Sequence, residues 1–221
     1  MTAAQPAGPQ GKFITLEGGE GAGKSTQAAL LADALRSAGN PVVATREPGG
    51  TEGAEAIRAL LMHAPDHGWS AVSEVLLHYA ARREHLDKVV RPALSRGTWV
   101  VCDRFADSTM AYQGYGLGCD RQMISALHQL VIGPFRPDLT LVLDVEPGQG
   151  QARTASRGQP SDRYERLDST FHARVRAGFL AIAGAEPERC VVVAASGSVA
   201  EVAQRIRRIV ADRLRIGLGA P

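Results

Sequence analysis

The stretch FITLEGGEGAGKSTQ, residues 13–27, contains the pattern G-x-x-x-x-G-K-[ST] between β-favouring residues and a helix-forming run. Its glycines allow backbone conformations closed to residues with a Cβ, so successive N–H groups can converge on phosphate oxygens. The helix N-terminus and Lys24 add positive charge, and Ser25 offers a hydroxyl to Mg²⁺. The alternative is a glycine-rich β–α turn that binds nothing, but this pattern seldom arises by chance, and one of only three lysines in the chain occupies the required position. The stretch therefore predicts a phosphate-binding P-loop.

Length and composition are those of an ordinary single-domain globular protein. The 221 residues suit one α/β domain, predicted over 12–215, and residues 1–11 suit a disordered tail. A formal charge of +2 with 22% charged residues does not indicate a nucleic-acid surface, and no apolar run reaches membrane length. The cysteines, which lack metal-ligand spacing and are odd in number, fit a reducing compartment. We expect a cytoplasmic protein with no nucleic-acid or membrane partner.

Strand and helix patterns alternate along the chain. Strands are predicted at 13–16, 42–45, 98–102, 138–145 and 191–194. Helices are predicted at 25–38, 52–63, 70–81, 84–95, 120–132, 147–156, 166–183 and 199–215. The segments 70–81 and 84–95 form either one long helix or two successive helices. The glycines of 112–118 suggest a loop, and an apolar stripe suggests that Leu76, Leu77, Ala80 and Ala81 lie in the core. The alternation predicts a three-layer α/β/α sandwich on a five-stranded parallel sheet.

Polar residues follow two of these strands, where an open parallel sheet binds its ligands. Arg46 lies in a turn-rich loop and is a candidate anion contact, although a solvated arginine is the alternative. Asp103 ends a buried strand after a P-loop, the usual position of a Mg²⁺-associated acid, although a helix N-cap is the alternative.

Three arginines bracket a loop of Gly, Pro and Ser near residues 149–163. Arg153, Arg157 and Arg163 would suit a lid that closes over a polyphosphate and neutralises its charge. The same pattern also fits a solvated helix face followed by a loop.

These motifs together resemble the thymidylate kinases of the P-loop nucleoside-monophosphate kinase group, over about residues 12–214. The run D-R-x-x-x-S-[ST]-x-A-Y-Q is more specific to that family than the P-loop, which usually reads G-x-P-G-[SA]-G-K-[GS]-T in other members of the group. The matching stretches are EGGEGAGKST (17–26), TREPGGT (45–51), YAAR (79–82), VCDRFADSTMAYQ (101–113), FRPDLT (135–140) and DRYE (162–165).

The resemblance implies the reaction ATP + dTMP → ADP + dTDP with Mg²⁺, a sheet ordered 2-3-1-4-5 and a homodimer. It assigns Ser25 and Asp103 to the metal or its water shell, and Arg46 and Arg104 to the dTMP phosphate. The ATP phosphates would contact Gly18, Gly19, Glu20, Gly21, Ala22, Gly23, Lys24, Ser25 and Thr26.

The same resemblance assigns the remaining dTMP contacts. Arg82 would read the thymine edge, while Ser108 and Gln113 would line the base pocket. Tyr112 would lie against the sugar and disfavour a ribose 2′-hydroxyl, and Glu20 would lie near the 3′-hydroxyl.

The chain departs from the family pattern at two places. Some family members carry a P-loop arginine for transition-state charge, whereas this chain has Glu20-Gly21 there, so the lid arginines at 153, 157 and 163 become the catalytic candidates together with Lys24 and Arg104. The aromatic residue that stacks on thymine is replaced by His78, which can stack with less area. This second change keeps open another nucleoside-monophosphate or deoxynucleoside kinase activity. A nucleotide-switched regulator is disfavoured because the chain contains no N-K-x-D motif.

Overall fold

A five-stranded parallel sheet in the order β2-β3-β1-β4-β5 forms the centre of the molecule. The computed structural model describes residues 11–63, 68–155 and 163–218. The strands are β1 (Phe13–Glu17), β2 (Val42–Arg46), β3 (Trp99–Asp103), β4 (Leu139–Asp144) and β5 (Cys190–Ala194). The predicted fold class and strand order are confirmed. The predicted tail lies almost wholly outside the described residues.

Helices cover both faces of the sheet. They are α1 (Lys24–Ser37), α2 (Glu52–Met62), α3 (Ala71–His85), α4 (Arg91–Ser95), α5 (Ala106–Thr109), α6 (Arg121–Val131), α7 (Pro147–Ala155), α8 (Ser169–Ala185) and α9 (Val199–Leu214), with π-helical segments at Leu86–Val90 and Met110–Gly116. The segment 70–95, predicted as one long helix or two successive ones, is therefore one continuous run that passes through a π-helical turn. Within the described residues, no helix combines the length and apolarity needed to cross a membrane.

The strand register brings the P-loop and the end of β3 together. In the parallel pairing of β1 with β3, Leu16 lies opposite Asp103, and on the other side of β1 it lies opposite Leu141. The carboxyl ends of the central strands thus share one edge of the sheet, which is where such folds bind ligands.

The central strand sends its side chains alternately into two cores. Leu16 packs with Leu31 of α1 and Ile206 of α9 on one face of the sheet. Phe13 packs with Phe105 and with Ile124 of α6 on the other. Because β1 is buried on both faces, its C-terminal loop starts from a rigid position.

The segment predicted as a loop at 112–118 is mostly helical, and its glycines serve packing instead. A Cβ on Gly116 would lie 2.5 Å from the ring of Phe171 in α8, and one on Gly178 would lie 2.8 Å from Tyr115. The glycines therefore let the helical segment and α8 approach closely. A local turn signal could not reveal this contact because its partner lies some 60 residues away in the chain.

The apolar stripe predicted as core on α3 is also partly wrong. Leu76 is 52% exposed and Ala80 is exposed as well, whereas Ala81 is buried. The buried face of the helix instead carries polar residues with internal partners, among them Glu74 and Arg82. Hydrophobic patterning misses such a face because it assumes that charged side chains point outward.

Candidate active site

The P-loop connects β1 to α1 and depends on glycine at two close approaches. A Cβ on Gly18, whose φ is 138°, would lie 2.5 Å from the carbonyl oxygen of Leu143, and one on Gly21 (φ 68°) would lie 2.0 Å from that of Gly150. A side chain at either position would be both strained and obstructed. These contacts hold the loop against β4 and α7.

Lys24 is the buried cation of this loop. Its Nζ donates a 2.7 Å hydrogen bond to the carbonyl oxygen of Gly19, and the residue is 6% exposed. Burial lowers the pKa of Lys24 to about 8, with a further lowering by Arg104, although neighbouring carboxylates oppose the shift. The ammonium is thus held inside the loop, ready to contact a phosphate.

Ser25 and Asp103 form a site that suits magnesium. The hydroxyl of Ser25 donates a 2.5 Å hydrogen bond to Oδ2 of Asp103. Among the described residues, Oδ1 of Asp103 is buried and has no hydrogen-bond partner. Hydroxyl and carboxylate oxygens are ligands that Mg²⁺ prefers, and its remaining ligands are commonly water and substrate phosphates. The donor set therefore fits the metal.

Arg104 follows Asp103 directly and has a left-handed backbone, with φ 72°. Its guanidinium donates to Glu20 Oε1 at 2.5 Å and to the hydroxyl of Tyr112 at 3.1 Å, while that hydroxyl donates to Glu20 at 2.6 Å. Burial alone would raise the pKa of Glu20, but Arg104 and Lys24 lower it to about 2. Arg104, Glu20 and Tyr112, all predicted to contact substrate, are therefore already hydrogen-bonded to one another.

Glu17, at the end of β1, was given no role by the sequence analysis. Its buried carboxylate accepts the backbone N–H of Phe105 at 2.7 Å and the hydroxyl of Ser108 at 2.6 Å. Burial and the nearby Asp107 raise the pKa of Glu17 to about 7. This residue ties the P-loop strand to the D-R segment and orients Ser108, which was predicted to line the base pocket.

A cavity opens beside this cluster, between α3 and the segment 104–113. It brings together seven of the predicted substrate or catalytic residues: Glu20, His78, Arg82, Arg104, Ser108, Tyr112 and Gln113. Seven further residues line the cavity without having been predicted as site residues: Glu47, Pro48, Arg58, Met62, Phe105, Thr109 and Tyr164. Glu47 falls within the TREPGGT stretch, so its position next to Arg46 was a usable signal.

Arg82 is buried in the wall of this cavity, with a relative exposure of 2%. Its Nε donates to Glu47 at 2.7 Å, and its Nη2 donates to the carbonyl oxygen of Phe105 and to Thr109. Its Nη1 is buried without a hydrogen-bond partner in the described part of the chain. Because an unpaired buried donor is costly, this nitrogen marks a place for a ligand acceptor.

His78 lines the same cavity one helical turn before Arg82. Burial and the positive charges of Arg82 and Arg104 lower the pKa of His78 to about 3. Its ring is therefore neutral at physiological pH. His78 thus lines the cavity, while its stacking on a base stays a prediction.

Gln113 belongs to a buried hydrogen-bond network behind the cavity. Its Nε2 donates to Glu74 at 3.2 Å and to the hydroxyl of Tyr164 at 3.0 Å, and that hydroxyl donates to Glu74 at 3.0 Å. Arg163 forms an ion pair with Glu74.

A broad cleft next to the P-loop contains the other predicted arginines. Arg46, Arg153 and Arg163 line it together with Lys24, Asp103 and Arg104. Arg46 pairs with Glu55 at 3.1 Å, and Arg153 donates to the carbonyl oxygen of Ala195. Arg157 lies outside the described residues, as does the rest of the segment 156–162 of the predicted lid.

Comparisons with known proteins agree with this arrangement. A sequence model of the family described as thymidylate kinase matches residues 16–206. The chain is 52% identical to a thymidylate kinase of Caulobacter vibrioides over 93% of this chain and 98% of that protein, and 51% identical to one of Gluconobacter oxydans over 94% and 97%.

A solved structure gives the same result. The thymidylate kinase of Ehrlichia chaffeensis is 40% identical, has a TM-score of 0.73, and is matched over 91% of this chain and 99% of that one. The fold, the P-loop and the similarity over nearly the whole length lead to one conclusion: this chain belongs to the thymidylate kinase family.

Proposed function

We propose that this chain transfers a phosphoryl group from ATP to dTMP and yields dTDP, as a step in the synthesis of dTTP. The observation that carries the proposal is the cavity between the P-loop and α3, which Arg82, Arg104 and Glu20 line together. Nη1 of Arg82 is buried there and has no hydrogen-bond partner among the described residues. A base can enter this cavity while its phosphate remains near the P-loop.

The ATP phosphates bind the loop amides of residues 18–26 and Lys24. Ser25 and Asp103 hold Mg²⁺, which neutralises charge on the transferred phosphate when bound. The 2.5 Å contact between these two side chains and the buried, unpaired Oδ1 of Asp103 support this assignment.

Arg46 and Arg104 bind the dTMP phosphate from the cleft that both line. Their guanidinium groups suit a phosphate, which they can contact through two parallel hydrogen bonds. The hydrogen bonds of Arg104 to Glu20 and Tyr112 hold its guanidinium in place before substrate arrives, which lowers the cost of ordering it.

The nucleoside occupies the cavity itself. Arg82 donates to the base through Nη1, His78 stacks on it, and Ser108 and Gln113 line its edge. Tyr112 lies against the sugar and Glu20 near its 3′-hydroxyl. The residues face one cavity, which supports their acting on one ligand.

The transfer step requires positioning and neutralisation of charge. The attacking dTMP oxygen is already anionic, so we assign no general base. The P-loop has Glu20 and Gly21 where some relatives carry an arginine, so Lys24, Arg104 and the lid arginines supply the charge. The lid candidates are Arg153, Arg157 and Arg163, of which Arg153 and Arg163 line the cleft beside Lys24 and Arg104.

We also infer a homodimer in the cytoplasm, built from a single domain over 12–215 with a lid near 149–163. Leu60 of α2 is 50% exposed, and Val72 and Leu76 of α3 are 49% and 52% exposed. Such an apolar surface on two packed helices supports association of two copies.

The direct experiment measures ADP release from Mg-ATP with dTMP, dUMP, CMP and deoxyguanosine monophosphate in parallel. We expect a strong preference for dTMP. Turnover of CMP in its place, or no turnover at all, would refute the proposed base pocket and leave a P-loop protein of another activity.

A further inference from the structure

Glu74 lies directly behind the base cavity and has no place in the mechanism described above. It is on α3, one turn before His78 and two turns before Arg82, and its side chain is fully buried. A buried carboxylate requires compensation, and Glu74 receives it from Arg163, from the hydroxyl of Tyr164 and from the amide of Gln113. The last two residues line the cavity, whereas Glu74 lies outside it.

This network fixes which end of the Gln113 amide faces the base. The carboxylate of Glu74, held by Arg163, can only accept hydrogen bonds. The hydroxyl of Tyr164 has a single proton, which it donates to Glu74 at 3.0 Å, so its oxygen can only accept from Gln113. The NH₂ group of Gln113 must therefore face the network. Its carbonyl oxygen, Oε1, must lie on the opposite side, toward the cavity.

The cavity wall then offers one donor and one acceptor. The donor is Nη1 of Arg82. The acceptor, given this orientation of the amide, is Oε1 of Gln113, a residue of the cavity wall. The edge of thymine presents a carbonyl at C4 and an N–H at N3, which is the complementary pattern. Cytosine presents an amino group at C4 and an unprotonated nitrogen at N3. One contact would then pair two donors, and the other would pair two acceptors.

We propose that Glu74 is a positioning residue for base choice: by holding the amide of Gln113 in one orientation, it makes the cavity accept thymine and reject cytosine. The proposal rests on the proposed function because it assumes that the base of dTMP occupies this cavity. It adds a residue that contacts no substrate and acts only through Gln113.

The test is Glu74→Gln, assayed for kcat/KM with dTMP, dUMP and dCMP. The new amide can donate as well as accept, so Gln113 is free to turn. We expect the dTMP to dCMP ratio to fall about tenfold or more, because a polarity mismatch at a buried base edge is removed. The dTMP to dUMP ratio should stay within about twofold, since uracil shares the edge of thymine. General damage to the fold would lower all three rates and preserve both ratios.

A double-mutant cycle tests whether Glu74 acts through Gln113. In a Gln113→Leu background, Glu74→Gln should no longer change the dTMP to dCMP ratio. A ratio that is unchanged by Glu74→Gln alone, or that still falls in the Leu background, would overturn the proposal. If Glu74→Gln does not fold, Tyr164→Phe replaces it, because it removes one of the two acceptors and keeps the ion pair of Glu74.

For Tyr164→Phe we expect a fall in the same ratio of about threefold, and no change would count against the proposal. Wild-type protein that turns over dCMP but not dTMP would refute the proposed function itself. The two failures are therefore distinguishable, since one is read in the wild type and the other in the variants.

Discussion

Ser25 of α1 and Asp103 of β3 are 78 residues apart in the chain, yet the hydroxyl of one lies 2.5 Å from the carboxylate of the other. This contact exists because β1 and β3 are neighbours in the sheet and end at the same edge. It leaves a hydroxyl oxygen and a carboxylate oxygen side by side next to Lys24, at the place where the phosphates of ATP would lie.

Asp103→Asn should weaken the response of the enzyme to magnesium. The amide keeps the size of the side chain but removes its negative charge, so we expect the Mg²⁺ concentration at half-maximal rate to rise by about 10–100-fold. Initial rates over a magnesium titration at fixed ATP would measure this. An unchanged titration curve would mean that Asp103 serves only as a hydrogen-bond acceptor for Ser25.

Arg153→Ala should lower kcat at least about tenfold and leave the KM for dTMP nearly unchanged, because the lost charge acts on the transition state. Arg205→Ala is a matched control. Arg205 also donates to backbone carbonyls at the end of β5, those of Ala194 and Ser196, but it does not line the cleft. We expect no change in kcat for the control. A full rate in Arg153→Ala would assign the catalytic charge to Arg157 or Arg163.

His78 should affect dTMP binding through the face of its ring. His78→Phe enlarges the stacking area and should lower the KM for dTMP, whereas His78→Ala should raise it by about 2–10-fold. The KM for ATP serves as the internal control because His78 does not line the ATP cleft. If both variants keep the wild-type KM for dTMP, His78 does not stack on thymine.

The pH dependence of kcat/KM for ATP should report the ionisation of Lys24. Its pKa in the free enzyme is lowered to about 8, mainly by burial, so the side chain is charged below that pH and neutral above it. We therefore expect kcat/KM for ATP to fall as the pH rises through about 8, since the free-enzyme pKa governs this constant. The profile of kcat should fall at a higher pH, because bound phosphate favours the ammonium. A flat kcat/KM profile up to pH 10 would contradict this.

Much of the fold could be predicted because its signals are local. The pattern at 13–27 fixed a strand, a loop and a helix in one stretch, and the apolar run at 98–102 ended at Asp103, which the structure confirms as the last residue of β3. The end of a buried strand is visible in sequence because hydrophobicity stops there.

The errors concern contacts between distant segments. Glu74 received no prediction, and Arg82 was predicted as a base contact but not as a buried residue. Both are buried because partners arrive from other elements: Gln113 for one and Glu47 for the other. Gly116 looks like a turn residue, yet it makes room for Phe171. Such pairings depend on tertiary structure, and no window of sequence around a single residue contains both members.

The exposed apolar face on α3 leads to a last prediction, about assembly. Val72 and Leu76 are one helical turn apart and about half exposed, and α2, which packs beside α3, adds Leu60. Because Leu76 is 52% exposed, burial of the rest of its side chain against a second copy should contribute about half of the roughly 1.5–3 kcal/mol expected for complete burial. Light scattering after size-exclusion chromatography should give wild-type particles of twice the 23.4 kDa chain mass.

Leu76→Glu should shift these particles to the mass of one chain, because it places a charge in the interface. Leu180→Glu is the matched control: Leu180 is 37% exposed on α8, a helix that packs mainly on the segment Met110–Gly116 and on β5, and its substitution should leave the dimer intact. Circular dichroism of both variants would verify that they are folded. A wild type of single-chain mass would exclude the dimer, while a dimer that survives Leu76→Glu would locate the interface elsewhere on the molecule.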